Sequence, residues 1–249
     1  MNFRALVGEA VGTFVLVGGG SLGVATALVT AQTAGFLGLF LIVPFAFGLS
    51  LMAGIAIAGD ASGGHFNPAV TLAAVLDGRV SWVTGLGYAV AQAIGAFAAS
   101  LFVLLTLTAD VVKNTVNKPV DFGAGPDMWI RAFSIEIVLT AIFVAVILTV
   151  ASKRPSQAGI IIPLTLVAIH FVGMAASGAS VNPIRSLAPA VVSGSYDGLW
   201  VYLTAPFLGS IVGWALYKLL NPADEALDDE IEDGDMDDFD DEDDALEPA

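Results

Sequence analysis

No cysteine occurs in the 249 residues. Disulfides and thiol chemistry are excluded, and cysteine usage says nothing about redox compartment. Charge is scarce as well: 13% of residues are Asp, Glu, Lys or Arg, where a soluble domain carries about a quarter. Histidine occurs only twice. No nucleophile–base pair and no metal-ligand cluster stands out, so the sequence predicts no enzyme, no metal, no cofactor and no nucleic-acid partner. A cleavable signal peptide is not expected either, because the first apolar run continues past Gly20 into a full span. The few charges are unevenly spread. Residues 221–249 hold 16 of the 24 acidic groups and no basic one, so the net charge of −15 belongs to that tail. The first 220 residues carry eight acidic and nine basic groups, a formal +1.

What the chain has in abundance is apolar length. Hydrophobic residues make up 56% of it, with a mean hydropathy of +0.82 and 27 glycines. Apolar segments run at 4–29, 36–59, 82–108, 129–151, 158–177 and 198–220, each near the ~20 residues that a bilayer-spanning helix needs. Gly8/Gly12 and Gly209/Gly213 have the i,i+4 small-residue spacing that lets helices approach closely. Residues 109–128 read as a polar connector between two halves. With a cytoplasmic N-terminus, Arg4, Arg79, Lys153, Arg154 and Lys218 fall inside, and Lys113, Lys118 and Arg131 fall outside. That orientation also puts the C-terminus in the cytoplasm of a multi-pass cell-membrane protein.

The halves, about 1–108 and 129–220, repeat. Glu9 and Thr13 recur as Glu136 and Thr140, 127 residues on; Tyr88 and Gly95 recur as Tyr202 and Gly209, 114 on. Three spans per half is an odd number, so the second half enters the membrane in the opposite sense, as an inverted repeat. Two Asn-Pro pairs, Asn67-Pro68 and Asn182-Pro183, stand 115 residues apart. Asn is a favoured N-cap and Pro a favoured first helical residue. Both pairs open apolar stretches, 67–77 and 182–192, that cover only ~16 Å, half of a ~30 Å core. The expected architecture is therefore all-α: six transmembrane helices plus two re-entrant half-helices, which inverted symmetry sends in from opposite sides to meet near the midplane.

Irregular backbone at that depth survives only when buried or lining a wet cavity. The approach segments 63–66 and 178–181 thus carry carbonyls in want of water. An N-cap asparagine spends its oxygen on its own helix, which leaves the amides of Asn67 and Asn182 as two neighbouring donors. Arg185, on the first turn after Asn182, is costly at membrane depth and functional by default. Glu9 and Glu136, at equivalent repeat positions, read as buried structural carboxylates that accept N–H groups from the irregular loops; a proton relay is the alternative.

Two segments, Ser62-Gly63-Gly64-His65-Phe66-Asn67-Pro68-Ala69-Val70-Thr71 and Ser180-Val181-Asn182-Pro183-Ile184-Arg185-Ser186, resemble the paired motifs of the aquaporin/glyceroporin (major intrinsic protein) family, and the resemblance extends over nearly all of residues 1–220. It implies one pore per subunit, a homotetramer, and a selectivity constriction of Phe47, His170, Ala179 and Arg185. It also implies a single file of water along the carbonyls of Gly63, Gly64, His65, Phe66, Gly178, Ala179, Ser180 and Val181. Phe47, His170, Arg185 and Tyr202 look like the water-selective branch, whereas Ala179 and Leu203 lean toward a wider, glycerol-type pore. Ile184 departs from the family's usual alanine and predicts crowding where the half-helices touch.

The resulting expectation is a passive water channel that excludes ions and protons. The alternatives are a facilitator of glycerol or another small neutral solute and, from a different class, an ion-coupled carrier with broken helices. The acidic tail reads as a disordered, solvated segment suited to high salt, or as a gate sensitive to divalent cations.

Overall fold

The computed structural model describes residues 2–222 other than Ala124, so the tail expectations fall outside the described residues apart from Asn221 and Pro222. Helices α1 (Phe3–Ala34), α2 (Phe36–Ser62), α3 (Pro68–Leu76) and α4 (Trp82–Thr106) form the first half. A short α5 (Ala109–Asn114) lies in the connector, and α6 (Met128–Lys153), α7 (Ala158–Ser177), α8 (Pro183–Ser193) and α9 (Leu199–Leu220) form the second. Six of these are long and apolar enough to cross a membrane. The 9-residue α3 and 11-residue α8 reach only about 14 and 16 Å. The chain is an all-helical membrane fold of six candidate spans and two half-length helices.

Its outer surface is that of a lipid-facing protein. On α4, Leu86, Val90 and Ile94 repeat every four residues and are each more than 60% exposed, a stripe that water would not tolerate on a monomer. Helix α1 runs past residue 29, where the apolar run weakens, because Thr26, Thr30 and Thr33 return their hydroxyls to the carbonyls of Leu22, Thr26 and Thr30 at 2.8–3.1 Å. Hydroxyls bonded within the helix no longer interrupt it. It ends at Gly35, whose φ of +66° turns the chain straight into α2.

Close helix crossings are set by glycine. A Cβ on Gly95 of α4 would lie 2.1 Å from the Ala10 carbonyl of α1. In the second half, a Cβ on Gly209 or Gly213 of α9 would lie 2.5 Å from a carbonyl of α6. Gly8 and Gly12 make the close helix contact their spacing suggests, both against α2: a Cβ on Gly8 would lie 3.4 Å from the Ala58 carbonyl, and Gly12 packs on Gly54. Gly12, with Gly54 of α2, makes room for the fully buried Phe66 ring. At the equivalent place in the second half the small residue is Val181, and Leu139 and Ile169 stand where Gly12 and Gly54 would be, all three in the core. One large side chain and two glycines on one side are exchanged for one small side chain and two large ones on the other, which keeps each site filled. Both half-helices are held between α4 and α9.

Candidate functional site

The half-helices begin where the sequence places them. Asn67 caps α3 by accepting the Ala69 N–H at 2.9 Å; Asn182 caps α8 by accepting the N–H groups of Ile184 and Arg185 at 3.1 and 3.3 Å. Their amides do more than face a passage. Asn67 Nδ2 donates to the Val181 carbonyl at 2.7 Å, and Asn182 Nδ2 donates to the Phe66 carbonyl at 2.9 Å. Each asparagine thus ties its own helix start to the opposite approach loop and retains one further N–H.

The loops themselves are strained. Phe66, Ala179 and Val181 have φ of 49°, 48° and 46°, the positive-φ non-glycine residues among those described, and Gly63, Gly64 and Gly178 are also positive. Such conformations cost about 1–3 kcal/mol each and persist only where the surroundings over-determine them. Buried carboxylates supply that. Glu9 accepts from Ser62 Oγ (2.6 Å), His65 N (3.0 Å), Phe66 N (2.8 Å) and Gln92 Nε2 (2.7 Å). Glu136 accepts from Ser177 Oγ (2.7 Å), Ser180 N (2.8 Å) and Val181 N (2.8 Å). Ser62 and Ser177, 115 residues apart, carried a repeat signal that could have flagged them. Tyr88 and Tyr202 hold the preceding helix ends, each donating its hydroxyl to the carbonyl of one of those serines.

A cavity of about 430 Å³ runs beside the two asparagines. Its wall includes Arg79, Asn67, Asn182, Phe47, His170 and Arg185. A second cavity of about 390 Å³ includes Lys113, Asn117, Lys118 and Gly178 in its wall. Both walls include Arg185. Phe47 and His170 stack with ring centroids 4.8 Å apart and planes 14° apart, and the Arg185 guanidinium carbon lies 4.4 Å from the Phe47 centroid. Gly20 of α1 seats the Phe47 ring, since a Cβ there would come within 2.1 Å of it. His170 Nδ1 is 2.9 Å from the Leu166 carbonyl. A carbonyl can only accept, so Nδ1 carries the proton and Nε2 of the neutral ring is an acceptor. His170 Nε2 and Arg185 Nε are both buried without a hydrogen-bond partner among the described residues.

Not every expected residue reaches the wall. Ala179 is fully buried and lines neither cavity, as does Phe66, whose carbonyl is engaged by Asn182. The Val181 carbonyl is likewise engaged, by Asn67, and that of Gly178 by Asn117 Nδ2 at 2.8 Å. Gly63, Gly64, His65, Ser180 and Val181 line the larger cavity, and Gly178 the smaller. Three side chains gave no sequence signal: Gln92, which joins Glu9 to Thr71 Oγ1 (2.9 Å); Asn117; and Arg79 as a latch. Arg79 ties the turn after α3 to Asp77 (2.7 Å), the Leu148 carbonyl (3.1 Å), Ser152 (2.7 Å) and Tyr217 (3.2 Å).

Ile184 does not crowd the site. It is 6% exposed and packs with Val17, Ala96, Ala99 and Ala188, with Ala93 close by. The alanines of α4 leave the volume that the longer side chain takes up. Ile184→Ala, although it restores the family's commoner residue, is therefore expected to destabilise by about 2 kcal/mol through the void it leaves. Thermal unfolding in detergent would read this as a lowered midpoint.

This build, spans enclosing a passage that two half-helices meet beside, defines a multi-pass membrane channel. The sequence profile described as "Major intrinsic protein" matches residues 1–217, and the chain belongs to that family. It is 36% identical over 217 residues to "Glycerol uptake facilitator protein-like 6" of Lactiplantibacillus plantarum, covering 84% of this chain and 94% of that protein. It is 37% identical over 231 residues to "Aquaporin Z" of Photorhabdus laumondii, covering 87% and 97%. The X-ray structure of the aquaglyceroporin from Plasmodium falciparum superposes with a TM-score of 0.75 at 24% identity, over 91% of this chain and 98% of that one.

Proposed function

We propose that the chain conducts water in single file and rejects ions and protons. The supporting observation is the pair of buried, unpartnered atoms on two residues of the cavity wall, where this reading puts the narrowing: Arg185 Nε can only donate and His170 Nε2 can only accept. Water both donates and accepts, so it can serve a group of either kind. The stacked Phe47 face offers nothing in exchange for a hydration shell. An ion stripped there loses solvation on the order of tens of kcal/mol and meets the fixed positive charge of Arg185. Two half-helix N-termini of roughly +0.5 charge each add to the barrier at the asparagines. The carbonyls of Gly63, Gly64, His65 and Ser180 serve as relay acceptors for the file, and Glu9 and Glu136 hold the loops that present them.

The same reading divides residues 1–220 into inverted repeats joined by 109–128, assembles four subunits, and puts both termini and Arg79 on the cytoplasmic side. A glycerol-type facilitator is the second reading, favoured by the relative that bears that name.

Shrinkage of proteoliposomes under sucrose and under glycerol gradients, with an internal pH dye, separates the readings. Wild-type vesicles are expected to pass water far faster than glycerol and to hold a pH gradient. Equal glycerol and water flux would establish the facilitator. Arg185→Val should raise the glycerol-to-water ratio about tenfold and let protons leak. A variant that still held the gradient would remove Arg185 from the proton barrier.

A further inference from the structure

The connector reaches back into the narrowing through one side chain. Asn117 lies between α5 and α6, outside both repeats, yet it is 4% exposed. Its Oδ1 accepts from Arg185 Nη1, which also donates to the Thr115 carbonyl at 3.0 Å. The same oxygen accepts the Ser186 hydroxyl at 2.8 Å, and Ser186 in turn contacts Ser180 Oγ. Its Nδ2 donates to the Gly178 carbonyl at 2.8 Å. Gly178 is shaped around it: a Cβ there would sit 3.0 Å from Nδ2. Among the described residues no carboxylate pairs with Arg185. The guanidinium is therefore aimed by neutral acceptors and by the Phe47 ring, and Nε has no hydrogen-bond partner among the described residues.

We propose that Asn117 is a positioning residue for selectivity: through its Oδ1 it fixes Arg185 relative to the start of α8, with the Nδ2 bond to Gly178 only seating the side chain, and so sets the size and hydrogen-bonding character of the narrowing. The inference rests on the channel reading above. An oxygen at the Asn117 terminus is the requirement, because it carries the hydrogen bond to the charged group, the strongest type in the set. Without it Arg185 retains one Nη1 acceptor, Thr115, and can swing.

The test compares Asn117→Leu, Asn117→Asp and wild type in the full chain, reconstituted at equal protein content, by glycerol-to-water flux ratio. Asn117→Leu is expected to raise the ratio about tenfold, the low end for losing one hydrogen bond to a charged group, while water flux persists. Asn117→Asp keeps the oxygen that faces Arg185 and is expected to hold the ratio near wild type. A ratio unchanged in Asn117→Leu, or raised alike in both variants, would overturn the proposal. If Asn117→Leu does not fold, Asn117→Asp decides: a ratio near wild type supports the proposal, and a raised one overturns it. Wild-type vesicles no faster than empty ones would sink the channel reading itself, and this inference with it.

Discussion

Glu9→Leu is expected to abolish the folded protein under conditions in which wild type survives. The substitution removes the acceptor of four donors: the backbone N–H groups of His65 and Phe66, Ser62 Oγ, which keeps a long bond to the Ala58 carbonyl at 3.4 Å, and Gln92 Nε2, which keeps Thr71 Oγ1. Each buried donor left without a partner costs about 1–3 kcal/mol, so the two backbone groups alone cost about 2–6 kcal/mol against a typical margin of about 5–15 kcal/mol. The strained φ of Phe66 then has nothing to hold it. Glu136→Leu removes the acceptor of one donor fewer and should be the milder of the two. Glu9→Gln keeps one accepting oxygen but turns an NH2 toward other donors, so it should fall between Glu9→Leu and wild type. Helix content followed through a thermal ramp in detergent orders the three. A Glu9→Leu melt that overlaid wild type would show that the carboxylate does not hold the loop.

Gly95→Ala is the second large effect. The added methyl would stand 2.1 Å from the Ala10 carbonyl and 3.1 Å from the Phe14 backbone nitrogen. Both are main chain, so no rotamer change relieves the clash; α1 and α4 must separate. Overpacking of this kind costs about 1–3 kcal/mol or more, and moving α4 also disturbs Gln92 and the Ile184 site. Gly18→Ala is the internal control, because its new methyl meets only the Ala99 Cβ, at an ordinary 3.6 Å. Gly95→Ala is expected to lower the thermal midpoint clearly and Gly18→Ala scarcely at all. Equal midpoints would mean the α1–α4 crossing is not set by Gly95.

Whatever is written twice in this chain is legible before any coordinates. The Asn-Pro pairs, Glu9 with Glu136, Tyr88 with Tyr202 and Gly95 with Gly209 all recur at nearly constant spacing, and helix capping and membrane thickness turn those recurrences into half-helices. What occurs once is silent. Asn117 has no counterpart in the first half, and only the path of the connector brings it to Arg185. Ile184 reads as a crowding residue until Ala93, Ala96 and Ala99 are seen to face it. Gly12 reads as a helix–helix contact, which it makes with Gly54, but nothing in its spacing announces the Phe66 ring that it also seats. Ala179 reads as a wall residue by its spacing from Asn182, but its burial depends on how the loop turns at φ 48°.

The crossed asparagine bonds also constrain how the protein can be made. Phe66 waits for a donor that lies 116 residues further along the chain, and Asn67 for an acceptor 114 further. While the ribosome is still reading the connector, the first re-entrant tip has no mate and cannot take its final form in the bilayer. Completion of that tip comes only with the second, so the two mature together, late in synthesis.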